Sequence, residues 1–309
     1  PAPDAGVALP AAGREGKEEA LVQAMFDRVA PRYDLANAVL SLGQDAHWRR
    51  VVARAARPSG RTFLDVAAGP GNVAHQLIAH GARHVTALDL SYNMLAEGAR
   101  RGLPDVTWVN GDAQQLPLPH ASVDGVTISF GLRNVPDPEG ALAEFARVTR
   151  PGGTLVVCEF AAPTNPTFRT VYLRYLVGAL PRLARLVSSD APAYTYLAES
   201  IQQWPHRATI AGWMRGAGWQ DVQVKDLTGG IVAVHRARRS ASATSRYAKD
   251  PARVSSTVWT RASSGSAGGS SPVHAVSAPV PSTATASTAP TRRNPRARRP
   301  VTPTAERGG

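Results

Sequence analysis

Cysteine is almost absent from the 309 residues: Cys158 stands alone, so no intrachain disulfide can form and no cysteine cluster can hold a metal. It sits in Thr154-Leu-Val-Val-Cys-Glu-Phe160, which reads as a buried strand and makes the thiol a small core residue rather than a nucleophile. No grouping of His, Cys and carboxylates has metal-ligand spacing, so no metal is expected. Long apolar runs are missing too; none approaches the ~18 residues of a membrane span. The N-terminal stretch has no signal-peptide pattern, and the expected location is cytoplasmic. Acidic residues are scarce in one part of the chain only. Residues 236–309 carry 13 Arg or Lys against Asp250 and Glu306, whereas residues 1–235 carry 22 against 21. The net charge of +12 and the pI near 10.7 therefore describe the tail, and specific nucleic-acid binding is not expected of the rest.

That tail also has few large apolar residues, Val254, Val258 and Trp259 among them, in a background of Ser, Ala, Thr, Pro and Arg. So little apolar surface cannot offset the chain entropy lost on folding. The expected organisation is a disordered N-terminus at 1–16, one folded domain at 17–238, and a disordered basic tail at 239–309.

Within the domain, Lys17 to Ala30 reads as a helix ended by Pro31, and Leu40 to Arg50 adds polar and aromatic residues before the first strand. That region reads either as helices covering a sheet edge or as a lid over a cleft. From Thr62 strands and helices alternate. Strands are expected at Thr62–Ala67, Val85–Asp89, Val106–Asn110, Val123–Phe130 and Thr154–Phe160. Helices are expected at Asn72–His80, Tyr92–Arg101 and Pro138–Thr149, the last stopped by Pro151-Gly152-Gly153. Nearly continuous apolar strands in this order imply an α/β domain with a parallel sheet covered on both faces. Residues 167–187 mix apolar residues with Arg169, Arg174, Arg182 and Arg185, which fits packing on the sheet or contact with a membrane surface. Trp219–Val224 and Ile231–Arg236 read as a closing hairpin.

Ligands of such sheets bind beyond the carboxyl ends of the strands. There the sequence has Thr62-Phe-Leu-Asp-Val-Ala-Ala-Gly-Pro-Gly-Asn72, a strand leading through a small-residue loop into a helix. Gly69-Pro-Gly71-Asn-Val-Ala74 matches a dinucleotide fingerprint, with Asp89 where a ribose-binding acid belongs. Asp65 argues for another ligand. A carboxylate suits the amino group of S-adenosylmethionine better than a pyrophosphate, which it would repel. Asp89 could then accept from both ribose hydroxyls, and Asp112 with the Ala113 N–H could read adenine. Each Asp alone could equally be a turn or cap residue; three at successive strand ends favour one shared site.

These residues resemble the class I S-adenosylmethionine-dependent methyltransferases, and within them the ubiquinone/menaquinone-biosynthesis C-methyltransferases. The narrower resemblance rests on Phe26-Asp27-Arg28-Val-Ala-Pro31-Arg32-Tyr33-Asp34-Leu35-Ala-Asn37, Thr127-Ile-Ser-Phe-Gly131-Leu-Arg133-Asn134-Val135, Arg147-Val-Thr-Arg-Pro151-Gly-Gly153, Asp190-Ala-Pro-Ala-Tyr194-Thr-Tyr196 and Leu227-Thr228-Gly229-Gly230. It implies a Rossmann-like fold with a mostly parallel seven-stranded sheet, helices on both faces and an N-terminal helical lid. It also implies cofactor contacts from Asp65, Ala67, Gly69, Gly71, Asp89, Leu90, Asp112, Ala113 and Ser129. The implied reaction is carbon methylation of a polyprenylated hydroquinone, a demethylmenaquinol in the first instance; a related small-molecule O- or N-methyltransferase is the alternative. Arg133, Asn134 and Tyr33 are the implied catalytic residues, with Tyr196 and His47 secondary. A prenylated substrate implies peripheral contact with the inner face of the cell membrane, and a homo-oligomer is left open. Two departures stand out: Pro70 where the family has Thr, and Ala46-His47 where it has a bulky or basic pair.

Overall fold

The computed structural model describes Ser41, residues 43–175, Gly178, residues 191–240 and residues 257–259. The helix expected over Lys17–Ala30, Tyr33 of the lid, Arg182, Arg185 and most of the basic tail lie outside the described residues.

Helix α1 (Gln44–Ala56) sets Trp48, Val52, Ala53 and Ala56 on one buried face and leaves Arg50 and Arg54 in solvent, the apolar stripe that seats a helix on a sheet. Then come β1 (Thr62–Val66), α2 (Asn72–Ala79), β2 (His84–Asp89), α3 (Tyr92–Arg100), β3 (Val106–Asn110) and β4 (Val123–Ser129). A 3-10 turn over Leu132–Asn134 leads into α4 (Pro138–Val148) and β5 (Thr149–Phe160). The described chain continues with α5 (Pro166–Arg174), α6 (Ala191–Gln203), α7 (Arg207–Gly216), β6 (Trp219–Leu227) and β7 (Val232–Arg239). Side chains start several of these helices. Ser91 accepts from the Met94 N–H at 3.2 Å, Asp137 from Gly140 at 2.8 Å and Asn165 from Phe168 at 3.0 Å, each satisfying an N–H that the first turn leaves open.

The strands form one sheet in the order β6-β7-β5-β4-β1-β2-β3. β1 to β5 are parallel, and β7 lies antiparallel between β5 and β6. This is the expected seven-stranded arrangement. Two expectations need correction. The helix expected over Pro138–Thr149 does end at Val148, but the strand expected from Thr154 starts at Thr149 and runs through Pro151-Gly152-Gly153. The register jumps there from Val123–Thr149 to Gly125–Thr154, so the segment is a bulge that Gly152, at φ 75°, lets the strand make. The tail was expected to be unstructured from 239, yet Thr257–Trp259 forms β8, antiparallel to β3 with Thr257 opposite Asn110. Without β8 the backbone groups of β3 would form an open edge, which a short strand can pair.

Alternation along each strand divides the core into two layers. Leu64 and Val66 of β1 face Leu142 and Phe145 of α4 and Met214 of α7. Phe63 faces the other layer with Trp48 and Val52 of α1 and Leu77 of α2, and Asp65 shares that parity. A carboxylate is thus built into the apolar layer under α1 and α2, at the carboxyl end of the central strand.

Candidate active site

Asp65 is 1 % exposed. The Thr127 hydroxyl, from the paired position on β4, donates to its Oδ1 at 2.6 Å, while Oδ2 is buried with no hydrogen-bond partner among the described residues. Burial, with the nearby charge of Asp89, pushes the Asp65 carboxyl up to about 7, against the Thr127 hydrogen bond, the positive charge of Arg49 and the Ala74 backbone N–H at the start of α2. Beyond β1 the backbone turns through left-handed conformations at Ala67, Gly69 and Gly71, with φ of 50°, 55° and 80°, before α2 begins. A Cβ on Gly71 would collide with the ring of Trp108, so this turn is fixed by packing as well as by φ.

Asp89 ends β2 and holds the loop. Its Oδ2 accepts the Gly69 N–H at 2.7 Å and its Oδ1 the Ser91 N–H at 2.8 Å. Pro70, buried between the two glycines, removes a donor, but its neighbours' amides are already turned inward: Gly69 to Asp89, and Gly71 to the Ala68 carbonyl at 3.0 Å. Asp112 forms a local turn in which Oδ1 accepts the Gln114 N–H at 2.8 Å. Both readings of this residue therefore coexist, because Asp112 also lines the cleft.

That cleft opens beyond the ends of β1, β2 and β4. It brings together Ala67, Gly69, Asp89, Leu90, Asp112, Ala113, Ser129 and Asn134 from the expected set, with Phe130 added. Asp65 and Gly71 are set beneath and behind its wall. The Ser129 hydroxyl is a second buried polar atom without a partner among the described residues. Two unsatisfied oxygens beside a loop entering a helix fit a ligand that brings donors, as the amino-acid end and ribose of S-adenosylmethionine do.

Arg133 departs from expectation. Its side chain is 5 % exposed and paired at 2.9 Å with Glu159, itself fully buried on β5. The same guanidinium donates to the Phe130 carbonyl at 2.5 Å and stacks over the Phe160 ring at 5.2 Å. It braces the turn, and its neighbour Asn134 is the residue that reaches the cleft. Asn134 Oδ1 accepts from the Tyr196 hydroxyl of α6 at 3.1 Å, which leaves its amide N–H groups to donate. His47 is exposed on α1, away from these contacts.

Sequence reasoning missed Phe130. This aromatic sits at φ 58°, a costly conformation for a residue with a Cβ. Its ring packs 4.9 Å from Phe160 and 5.7 Å from Trp48, whose indole N–H donates to Thr228 at 2.8 Å. The partners come from α1, β5 and the turn before β7, so the cage exists only in the fold. Phe-Gly at 130–131 was a visible signal, read as family signature rather than as conformation.

A Thermotoga maritima structure described as an S-adenosylmethionine-dependent methyltransferase, and titled a possible histamine N-methyltransferase, matches the fold with a TM-score of 0.52 at 18% identity. The match covers 70% of this chain and 99% of that one. Sequence relatives are nearer. The demethylmenaquinone methyltransferase of Mycolicibacterium paratuberculosis is 55% identical over 219 residues, covering 71% of this chain and 94% of the relative. That of Renibacterium salmoninarum is 52% identical over 217 residues, covering 70% and 91%. The profile described as the ubiE/COQ5 methyltransferase family matches residues 14–239, and the chain belongs to that family.

Proposed function

We propose that this chain transfers a methyl group from S-adenosylmethionine to a ring carbon of a demethylmenaquinol in menaquinone biosynthesis. The observation that carries the reading is the convergence of Asp89, Asp112, Ser129 and Asn134 on one cleft, with the unpartnered Asp65 oxygen beneath it. The reaction named for its relatives at 52% and 55% identity requires a cleft of this kind. Bound S-adenosylmethionine supplies an electrophilic methyl carbon. Asp65 pairs the ammonium group, Asp89 accepts from the ribose hydroxyls, Asp112 and the Ala113 N–H take adenine, and Ala67, Gly69, Gly71 and Leu90 shape the wall.

A hydroquinone carbon becomes a good nucleophile when a ring hydroxyl loses its proton. The site must therefore stabilise the resulting phenolate and align carbon with methyl. Asn134, held by Tyr196, donates to that oxygen. A guanidinium is no general base, and Arg133 acts by holding the turn. Deleting the gene should make one demethylquinone accumulate in the cell. Build-up of a demethylmenaquinone supports the reading, and unchanged quinones contradict it.

Because Asp65 must be ionised to hold an ammonium, S-adenosylhomocysteine should bind with release of a proton below pH 7. Affinity should fall about tenfold per pH unit from 7 to 5.5 and level off above 7.5. The same raised value makes the sign opposite for folding. Between the ordinary 3.8 and about 7 the folded state keeps a proton that the unfolded chain has lost, so the Asp65 contribution to stability declines as pH rises through that window. Calorimetry at several pH values checks both.

Among the described residues no helix is long and apolar enough to cross a membrane. A prenylated substrate would still bring the enzyme to a membrane surface, and α5 suits that contact. Val171 is 58 % exposed and Phe168 and Leu173 are 39 % exposed, beside exposed Arg169 and Arg174 that complement anionic headgroups. With the basic tail after residue 240 removed from both, the protein should float with anionic vesicles, and a Val171→Asp/Arg169→Glu variant should stay behind. Equal flotation of the two would dismiss α5 as the contact.

A further inference from the structure

Arg49 of α1 is a buried cation to which the site described so far gives no ligand. It follows Trp48, whose ring packs against Phe130 of the cleft wall, so it lies at the end of α1 nearest the carboxyl ends of the strands. Its side chain is 12 % exposed, and its nearest carboxylate, Asp45 one turn earlier, is 3.5 Å from a guanidinium nitrogen. The Arg49 Nε is buried without a hydrogen-bond partner among the described residues. Asp45 has other attachments, since its N–H and carboxylate both meet the Ser41 hydroxyl. Leaving a buried guanidinium N–H without an acceptor is unfavourable, because it has lost the water that would otherwise satisfy it. The site is therefore unsatisfied in the same sense as Asp65, and with the opposite sign.

The two lie in the same layer, between α1 and the sheet. Asp65 has the parity of Phe63, which packs with Trp48 and Val52 of α1. The positive charge of Arg49 is felt by Asp65 on β1 and by Cys158 on β5, and so reaches inward to the sheet. One buried carboxylate oxygen and one buried guanidinium nitrogen, both open, are the complement of an amino-acid zwitterion.

We propose that Arg49 and Asp65 form the two poles of a receptor for the amino-acid end of the cofactor, Arg49 taking the α-carboxylate and Asp65 the α-ammonium. The inference rests on the cofactor reading above. It adds a specificity residue on α1, and with it a reason for that helix to lie over the cleft. Arginine suits the role because its planar fork can meet a carboxylate with two parallel hydrogen bonds.

The test pairs a change in the protein with a change in the ligand, read by titration calorimetry of the full chain. S-adenosylhomocysteine carries both charges; its decarboxylated form keeps the ammonium and lacks only the group assigned to Arg49. Arg49→Met should weaken S-adenosylhomocysteine about a hundredfold and the decarboxylated ligand less than threefold, and Arg49→Lys should recover part of the loss. Equal weakening of the two ligands would make Arg49 a support of the fold, and unchanged affinity for S-adenosylhomocysteine would remove it from the site; either overturns the proposal. If Arg49→Met does not fold, Arg49→Lys decides by the same comparison. Failure of the unaltered protein to bind either ligand would instead overturn the cofactor reading itself.

Discussion

Arg133→Ala should reduce turnover on the order of a hundredfold or more and destabilise the fold by about 3–5 kcal/mol, because it strands the Glu159 carboxylate inside the protein. Glu159 is fully buried, and Arg133 meets it through a side-chain nitrogen at 2.9 Å and through the backbone N–H at 3.4 Å. The cost to stability comes from the abandoned charge. The cost to turnover comes from the turn over Leu132–Asn134, which loses its tie to the Phe130 carbonyl and with it the aim of Asn134. These two effects separate in the double variant Arg133→Met/Glu159→Gln, which removes the pair together. Stability should largely return, since an ion pair and a neutral replacement of similar volume are nearly equivalent in a buried site. Turnover should return only in part, and Asn134→Ala should lose it with little change in stability. Urea unfolding and initial rates measured side by side check this. A double variant with full turnover would show that the guanidinium serves the fold alone.

Asp89→Ala carries the second large effect. Its carboxylate ties the β1–α2 loop to the start of α3 through Gly69 and Ser91, and the proposal assigns the ribose hydroxyls to the same carboxylate. Hydrogen bonds to a charged group contribute about 1.5–3 kcal/mol each, so losing two should weaken S-adenosylhomocysteine roughly 10²–10⁴-fold. Asp112→Ala should cost about tenfold, as one Asp112 oxygen is already engaged by its own turn at Gln114. Asp89→Asn should fall between them, keeping an acceptor and losing the charge. Affinities in the reverse order, Asp112→Ala worse than Asp89→Ala, would contradict the placement of ribose and adenine.

The strands were legible because each is short and rich in apolar and β-branched residues, as Thr62–Val66, Val106–Asn110 and Val123–Ser129 are. Asp65, Asp89 and Asp112 were legible as a group because parallel topology gathers strand ends at one edge. What depends on distant partners was not legible. Arg133 was read as a catalytic residue, since nothing in the sequence announces that Glu159, 26 positions later on the neighbouring strand, would be buried against it. Trp48 meets Thr228 across 180 positions, so the cage around Phe130 had no local trace. Pro151-Gly152-Gly153 carries the chemistry of a stop, and only pairing with β4 makes it a bulge. Strand β8 answers to the open edge of β3, which the composition of the tail does not reveal.

That the cleft above Asp65 and Asp89 directs a methyl group onto a quinol ring carbon is the proposal on which the other expected outcomes depend. It is tested most directly by incubating the full chain with methyl-labelled S-adenosylmethionine and a reduced demethylmenaquinone, then locating the label by mass spectrometry and NMR. One labelled methyl on the naphthohydroquinone ring carbon is expected, with none formed by Asn134→Ala at comparable cofactor affinity. A label on a ring oxygen, or a product unchanged by Asn134→Ala, would contradict it.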